Sequence, residues 1–295
     1  MKNKKFRRKH MKILKNVEMK EYSHMKVGGI AKELIFIEDK NELKEILNTR
    51  KNIFLLGNGT NTLIHDGNLD ISFISLKNFK NIEVEEKNGE YDLVRVEAGL
   101  DFDELIEFME KNDYTGLENI AGVPGSVGGL VNMNGGAYGT EIFDCIEEVE
   151  VCKTDGKTAK LKKSQLTFKY RTTEIKQNKW IVISVLFRFK RGFDKECVID
   201  KKMQRENKHP LEYPNLGSTF KNPEGTFAAQ LISDAGLKKY RVGDAMVSEK
   251  HPNFIINLGN AKFDDIIAII EHIKKVIFEN FNVKLETEII ILKTD

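Results

Sequence analysis

The sequence predicts an α+β protein that holds a phosphorylated ligand against backbone amides. Three observations lead there. Short apolar strands and a few amphipathic helices follow one another along the whole chain without a regular alternation. The 24 residues from Gly116 to Gly139 concentrate glycine and nearly exclude charge. Neither glycine loop has the spacing of the doubly wound dinucleotide fold or of a Walker A loop, so the familiar parallel nucleotide folds are not indicated.

The stretch GLENIAGVPGSVGGLVNMNGGAYG holds eight of the 22 glycines, and Glu118 is its only carboxylate or amine side chain. Glycine at that density weakens any helix or strand. It suits a backbone that must come close to something else, and consecutive free amides form concave nests for anions. Pro124 stiffens the loop, and Ser126 offers a hydroxyl donor between Gly125 and Gly128. The alternative is a pair of tight turns with no ligand. Ile120, Val123, Val127, Leu130, Val131 and Met133 make the stretch too apolar for a solvated linker, and long structureless loops are uncommon in compact domains unless functional or disordered. A cofactor cradle is the expectation.

At 295 residues, with 40% hydrophobic and 31% charged residues, the chain is an ordinary globular protein with room for two or three domains. No apolar run approaches the length of a membrane span, so no membrane partner is expected. The first twenty residues are basic without the apolar segment of a signal peptide and are expected to be a disordered tail (1–20), with order beginning near Tyr22. Net charge is +2, yet residues 1–10 carry six cations and no acid, leaving the remainder at −4. The body therefore gives no support to a nucleic-acid partner. Cys145, Cys152 and Cys197 share no metal-ligand spacing and read as free thiols in a reducing cytoplasm, with no metal expected. A monomer is the expected state.

In chain order, Leu34–Ile37 reads as a short buried strand, and Asp39 with Glu42 resembles a capping box opening a helix. The apolar strand Ile53–Leu56 runs into Gly57-Asn58-Gly59-Thr60-Asn61. A dinucleotide fingerprint needs glycine where Thr62 stands, followed by a helix, whereas Thr62–Gly67 reads as strand and turn. Strands follow at 71–76, 82–85 and 93–98. Asp101 and Glu104 then cap a helix with Leu105, Ile106, Phe108 and Met109 on one face. Beyond the long glycine stretch come strands near 146–151, 159–161 and 180–189. Lys190–Asp194 reads as a linker, and a helix follows at 195–208. Ser218 lies between a glycine and more rigid elements, which pins a hydroxyl for proton transfer, although such a turn is often only a turn. Phe263–Phe278 has the spacing of an amphipathic helix. The final strand alternates, with Lys284, Glu286 and Glu288 on one face; taken alone, those carboxylates are solvated.

Seven motifs recur here in one order: GNGTN at 57–61, GVPGSVGG at 122–129 with MNGGAYG at 133–139, KYR at 169–171, GSTFKNP at 217–223, EKHPNFIIN at 249–257 and LETEI at 285–289. In that order, from Tyr22 to Leu292, the chain resembles the UDP-N-acetylenolpyruvoylglucosamine reductases, the MurB family of peptidoglycan synthesis. It looks like the shorter variant, since no tyrosine-bearing insertion precedes Ser218. The resemblance implies a two-subdomain FAD-binding region of the vanillyl-alcohol-oxidase (PCMH) type at 21–190, divided near 78, and a C-terminal α+β substrate domain at 191–295. It implies non-covalent FAD, NADPH as hydride donor, and a UDP-sugar enolpyruvyl ether as substrate. Hydride then passes from NADPH to flavin and on to the enolpyruvyl methylene carbon, giving UDP-N-acetylmuramate.

By the same resemblance, FAD is held by Gly57, Asn58, Gly59, Thr60, Asn61, Gly122, Pro124, Gly125, Ser126, Gly128, Gly129, Asn134 and Gly136. Arg171 and Glu288 meet the developing oxyanion, which needs fixed donors, with Glu288 protonated or sharing a proton. Ser218 delivers the proton to carbon, by placement rather than by acidity. Asn222, Lys238 and His251 match substrate-binding positions, and Arg205 and Lys208 are candidates for phosphates or carboxylate. Departures from the family pattern fall at Asp244, Pro252 and Thr172-Thr173, and put substrate affinity in doubt more than activity. Another FAD oxidoreductase of the same fold would share the glycine loops but not GSTF and LETEI. A non-catalytic nucleotide-binding module would bind phosphate without turning over NADPH.

Overall fold

Alternation of apolar residues sorts the strands into separate sheets, and the computed structural model describes residues 11–293. In the first sheet Lys12–Glu18 pairs antiparallel with Ile30–Phe36, which lies parallel to Asn68–Ser75, itself parallel to Ile53–Leu55. The tail expected at 1–20 is therefore corrected. Residues 12–18 form an edge strand, with Val17 buried on it and Met19 fully buried just after it. Its exposed lysines, normal on a sheet edge, make it read as a solvated run. Residues 1–10 lie outside the described residues.

Glu33 ties this sheet together. Its side chain is buried, and it accepts from Arg50 Nε, Lys15 Nζ and Ser72 Oγ, each at 2.6 Å. Burial alone would push its carboxyl up, but the hydrogen bonds from Arg50, Lys15 and Ser72 outweigh it and hold it at about 2, against the ordinary 4.5. A carboxyl whose value is depressed by folding stabilises the fold above its unfolded value and loses that contribution as pH falls. Glu33→Gln is therefore expected to cost about 2–3 kcal/mol at pH 7, with the gap to wild type closing between about 4.5 and about 2. Urea unfolding across that range measures it, and a gap independent of pH would refute it.

The second sheet runs in the order Thr158–Lys162, Ile146–Cys152, Ile181–Arg191, Asp92–Glu97, Ile82–Lys87, antiparallel throughout. Helices α1 (Lys40–Thr49), α2 (Phe102–Lys111) and α3 (Val127–Met133) share its apolar core through Leu43, Ile46, Leu105, Met109, Val127 and Val131. Asp39 caps α1 by accepting from Asn41 and Glu42 N–H, as the sequence indicates. Asp101 makes no side-chain cap to α2; it accepts from Asn58 Nδ2 at 3.1 Å instead.

After Ile181–Arg191 only Gly192–Asp194 remain before α5 (Lys195–Lys208), preceded by the four-residue helix α4 (Glu174–Gln177) ahead of that strand. Asp194 accepts from Cys197 N–H, so most of the expected linker is strand end and helix cap. Helices α6 (Ala228–Asp234) and α7 (Phe263–Phe281) pack with a three-stranded sheet of Arg241–Val242, Ala245–Val247 and Ile255–Asn257. Met25, Val27 and Leu63 belong to that same core. The regular C-terminal strand is Ile290–Leu292, parallel to Thr62–Ile64, rather than the expected 283–289. Ile290–Leu292 thus lies beside the strand that directly follows Gly57–Asn61.

Candidate active site

The loop Gly57–Asn61 joins Ile53–Leu55 to Thr62–Ile64. Among the described residues, the N–H groups of Asn58, Gly59, Thr60 and Asn61 donate to no other group, which is the donor set of an anion nest. Gly59 has φ 66°, and a Cβ there would stand 2.1 Å from Tyr22 O. No other residue fits without moving the backbone. Thr60 Oγ1 donates to Pro124 O at 3.4 Å, which joins this loop to the second one.

The stretch Gly116–Gly139 is not one loop, because α3 occupies its middle. Ser126 is that helix's N-cap and accepts from Gly129 N–H at 3.3 Å, so its hydroxyl oxygen is engaged locally. Gly128 answers to packing: a Cβ there would lie 2.7 Å from Ala98 Cβ, so α3 sits directly on the end of Asp92–Glu97. Asn134, left-handed at φ 47°, ends the helix. Gly122 abuts Lys202 and Arg205 of α5.

Three distant segments then meet. Arg171 is the second residue of a two-residue turn between Phe168–Lys169 and Thr172–Thr173, and its φ is 54°. That conformation costs a non-glycine residue roughly 1–2 kcal/mol. The side chain is anchored in compensation: Nε donates to Glu288 Oε1 at 2.8 Å, Nη2 to Gly136 O at 2.6 Å and Nη1 to Asn134 O at 3.3 Å. Glu288 is held by a short ladder, its N–H donating to Thr219 O at 2.8 Å while Lys221 N–H donates to Glu286 O at 2.9 Å. The ladder sets the Ser218 segment beside Glu288. Far from being solvated, the Glu288 side chain is 16% exposed. Burial raises its carboxyl above the ordinary value despite the opposing charges of Arg171, Lys176 and Lys221.

Asn253 braces the serine segment from behind. Buried itself, it accepts from Phe220 N–H at 2.9 Å, donates to Phe220 O at 2.8 Å, and its carbonyl accepts from Thr219 N–H at 2.7 Å. Sequence reasoning missed this residue, although an Asn directly after a proline was the available signal. It missed His209 as well. His209 and His251 pack edge to face with ring centres 5.2 Å apart, and His209 stacks on Phe254. Burial, then the neighbouring Arg205 and His251, pushes His209 down to about 3, and burial lowers His251. The Nδ1 atoms of both and Arg205 Nε are buried without a partner among the described residues.

These segments enclose one cleft of about 610 Å³. It is lined by Gly57–Asn61, Pro124, Gly125, Ser126, Gly128, Gly129, Gly136, Arg171, Arg205, Lys208, Ser218, Asn222, His251 and Glu288. Gly122, Asn134 and Lys238 are not part of the lining. Asn134 is fully buried and acts on Arg171 instead, and Lys238 is exposed on the surface. Asn222 spends its Oδ1 on Ala228 N–H at the start of α6. Asp244 clasps its own hairpin, accepting from Arg241 and from Asn260 N–H, outside the cleft. Thr173 keeps a hydroxyl that caps α4. The cysteines are free thiols, and among the described residues no helix is long and apolar enough to cross a membrane.

Two family models match the chain: an FAD binding domain over residues 31–162 and the C-terminal domain of UDP-N-acetylenolpyruvoylglucosamine reductase over 209–292. The chain is 51% identical to the UDP-N-acetylenolpyruvoylglucosamine reductase of Fusobacterium nucleatum over 96% of its own length and 100% of that protein. It is 41% identical to that of Clostridium novyi, over 94% and 91%. The crystal structure of the corresponding reductase from Thermus caldophilus superposes with a TM-score of 0.83 at 31% identity, covering 96% of this chain and 100% of that one.

Proposed function

The chain belongs to the UDP-N-acetylenolpyruvoylglucosamine reductase family, and we propose that Arg171, Glu288 and Ser218 carry its second half-reaction. The activity is the NADPH- and FAD-dependent reduction of the enolpyruvyl group to give UDP-N-acetylmuramate for peptidoglycan. The cleft's donor set fits the cofactor: four successive free N–H groups at Asn58–Asn61 suit a pyrophosphate, and the second glycine loop abuts them. FAD held by Gly57–Asn61 and the second glycine loop would supply the hydride chemistry that links NADPH to the enolpyruvyl group. The observation that carries the assignment of roles is the convergence of Arg171, Glu288 and Ser218, from three remote segments, in that one cleft.

As hydride arrives, negative charge develops at the enolpyruvyl carboxylate. Arg171, already oriented by Asn134 O and Gly136 O, supplies a fixed cation, which needs no rearrangement when charge appears. Burial favours a protonated Glu288, which can then donate to the same oxygens rather than repel them. Ser218, placed beside Glu288 by the ladder, gives its proton to the α-carbon. Arg205 and Lys208 bring positive charge to the histidine end of the cleft, and we assign them to substrate phosphates. The same reading makes the protein a cytoplasmic monomer with small-molecule partners, in keeping with its free thiols.

Non-covalent attachment gives the direct test. Neither Gly57–Asn61 nor Gly122–Gly129 contains Cys or His. The purified protein is expected to show a flavin absorption band and to release all of its FAD on acid precipitation. NADPH should bleach the band without oxygen, and the enolpyruvyl substrate should restore it. A colourless protein that takes up no added FAD, or flavin that stays with the precipitate, would contradict the reading.

A further inference from the structure

Lys176 is a half-buried ammonium that the mechanism above leaves without a task. Thr173 Oγ1, itself fixed by donating to Asn132 O at 2.8 Å, accepts from Lys176 N–H at 3.1 Å and caps α4. The turn residue Arg171 and the helix residue Lys176 therefore approach one place from a single local structure. Lys176 Nζ donates to Met133 Sδ at 3.1 Å, a weak acceptor. Among the described residues it forms no ion pair, whereas its neighbours do: Arg171 with Glu288 at 2.8 Å, and Lys221 with Glu286 at 3.0 Å. The charges that act on it are attraction to Glu288 and repulsion from Lys221. A cation removed from water without a paired anion is costly, and such groups cluster at functional sites.

We propose that Lys176 is a positioning residue for the reductive half of the reaction on the enolpyruvyl group: a fixed positive charge behind the Arg171–Glu288 pair. The inference rests on the reading of Glu288 given above. Arg171, whose guanidinium lies 4.8 Å from the Tyr170 ring, and Glu288 line the cleft, whereas Lys176 and Lys221 do not, so the two lysines act on Glu288 from outside the lining. Glu141, which accepts from Asn134 Nδ2, is a further carboxylate on this side of Arg171. The charge of the lysines adds to the attraction felt by the substrate carboxylate as its charge grows, and lowers the proton affinity of Glu288 so that it can share a proton rather than lock it. Burial also draws the Lys176 ammonium below its ordinary value, which marks it as poorly solvated.

The experiment follows the carbonyl stretch of protonated Glu288 by infrared difference spectroscopy of the holoenzyme across pH. The band is identified by its loss in Glu288→Gln. Reoxidation of the reduced flavin by the enolpyruvyl substrate is timed in parallel. In Lys176→Met the band is expected to persist to higher pH, since removing a neighbouring cation favours the protonated carboxyl, and reoxidation at pH 7 should slow about tenfold. Lys176→Arg keeps the charge and should restore both. A titration unmoved in Lys176→Met while Glu288→Gln still removes the band overturns the role of Lys176 alone. So does equal damage in the Met and Arg variants, which marks a packing role. A pH dependence of reoxidation that survives Glu288→Gln overturns the reading of Glu288, and this inference with it.

Discussion

Ser218→Ala is expected to separate the two half-reactions. Only the second delivers a proton to carbon, and losing a positioned general acid costs about 10²–10⁴ in rate. Flavin reduction by NADPH should therefore stay within a few-fold of wild type while reoxidation by the enolpyruvyl substrate collapses. The fold should survive, because Ser218 is only half-buried and its segment is held by Asn253 and by the ladder to Glu286–Glu288, not by its hydroxyl. A serine that merely shaped a turn would leave both half-reactions intact. Stopped-flow absorbance with each substrate in turn decides, and normal reoxidation would remove Ser218 as the acid.

Arg171→Ala is expected to strike the same half-reaction by a different route. Removing a preorganised donor to a developing oxyanion typically costs about 10²–10³ in rate. Here it also takes a donor from Glu288 and leaves the carbonyls of Asn134 and Gly136 without theirs, so a stability loss of about 1–3 kcal/mol accompanies it. Arg171→Lys should rescue little. A single ammonium cannot reproduce a planar fan of donors directed at Glu288, Gly136 and Asn134 together. If reoxidation in either variant proceeds at the wild-type rate, the oxyanion role of Arg171 is lost; single-turnover kinetics and thermal unfolding give both quantities.

Much of the local structure was written in short-range pattern. The spacing of Phe263, Ile266, Ile270, Ile273 and Ile277 specified α7, and Asp39 specified the start of α1, because both depend on residues within a turn of one another. Where the reading failed, the deciding partner lay far along the chain. Lys12–Glu18 became a strand only because Ile30–Phe36 offers it an edge. Asp101 turns from its helix to Asn58.

The sequence by itself determined α1, α2, α5 and α7 and, through the resemblance carried by seven ordered motifs, the family to which the chain belongs. The helices rest on residue type and local spacing, which need no folded partner to be read; the chemistry rests on the resemblance. Only the tertiary structure decided that Asn134 orients Arg171 rather than lining the cleft, that Asn253 braces the Ser218 segment, and that Lys176 reaches Met133, next to Asn134. It also supplied a physical cause for the raised proton affinity of Glu288, which the resemblance had only implied. On an alternating strand that carboxylate reads as solvated and charged. Burial, set by contacts between residues more than a hundred positions apart, raises its proton affinity against three nearby cations. Desolvation is a property of everything packed around a group, so no reading of its neighbours in sequence could supply it.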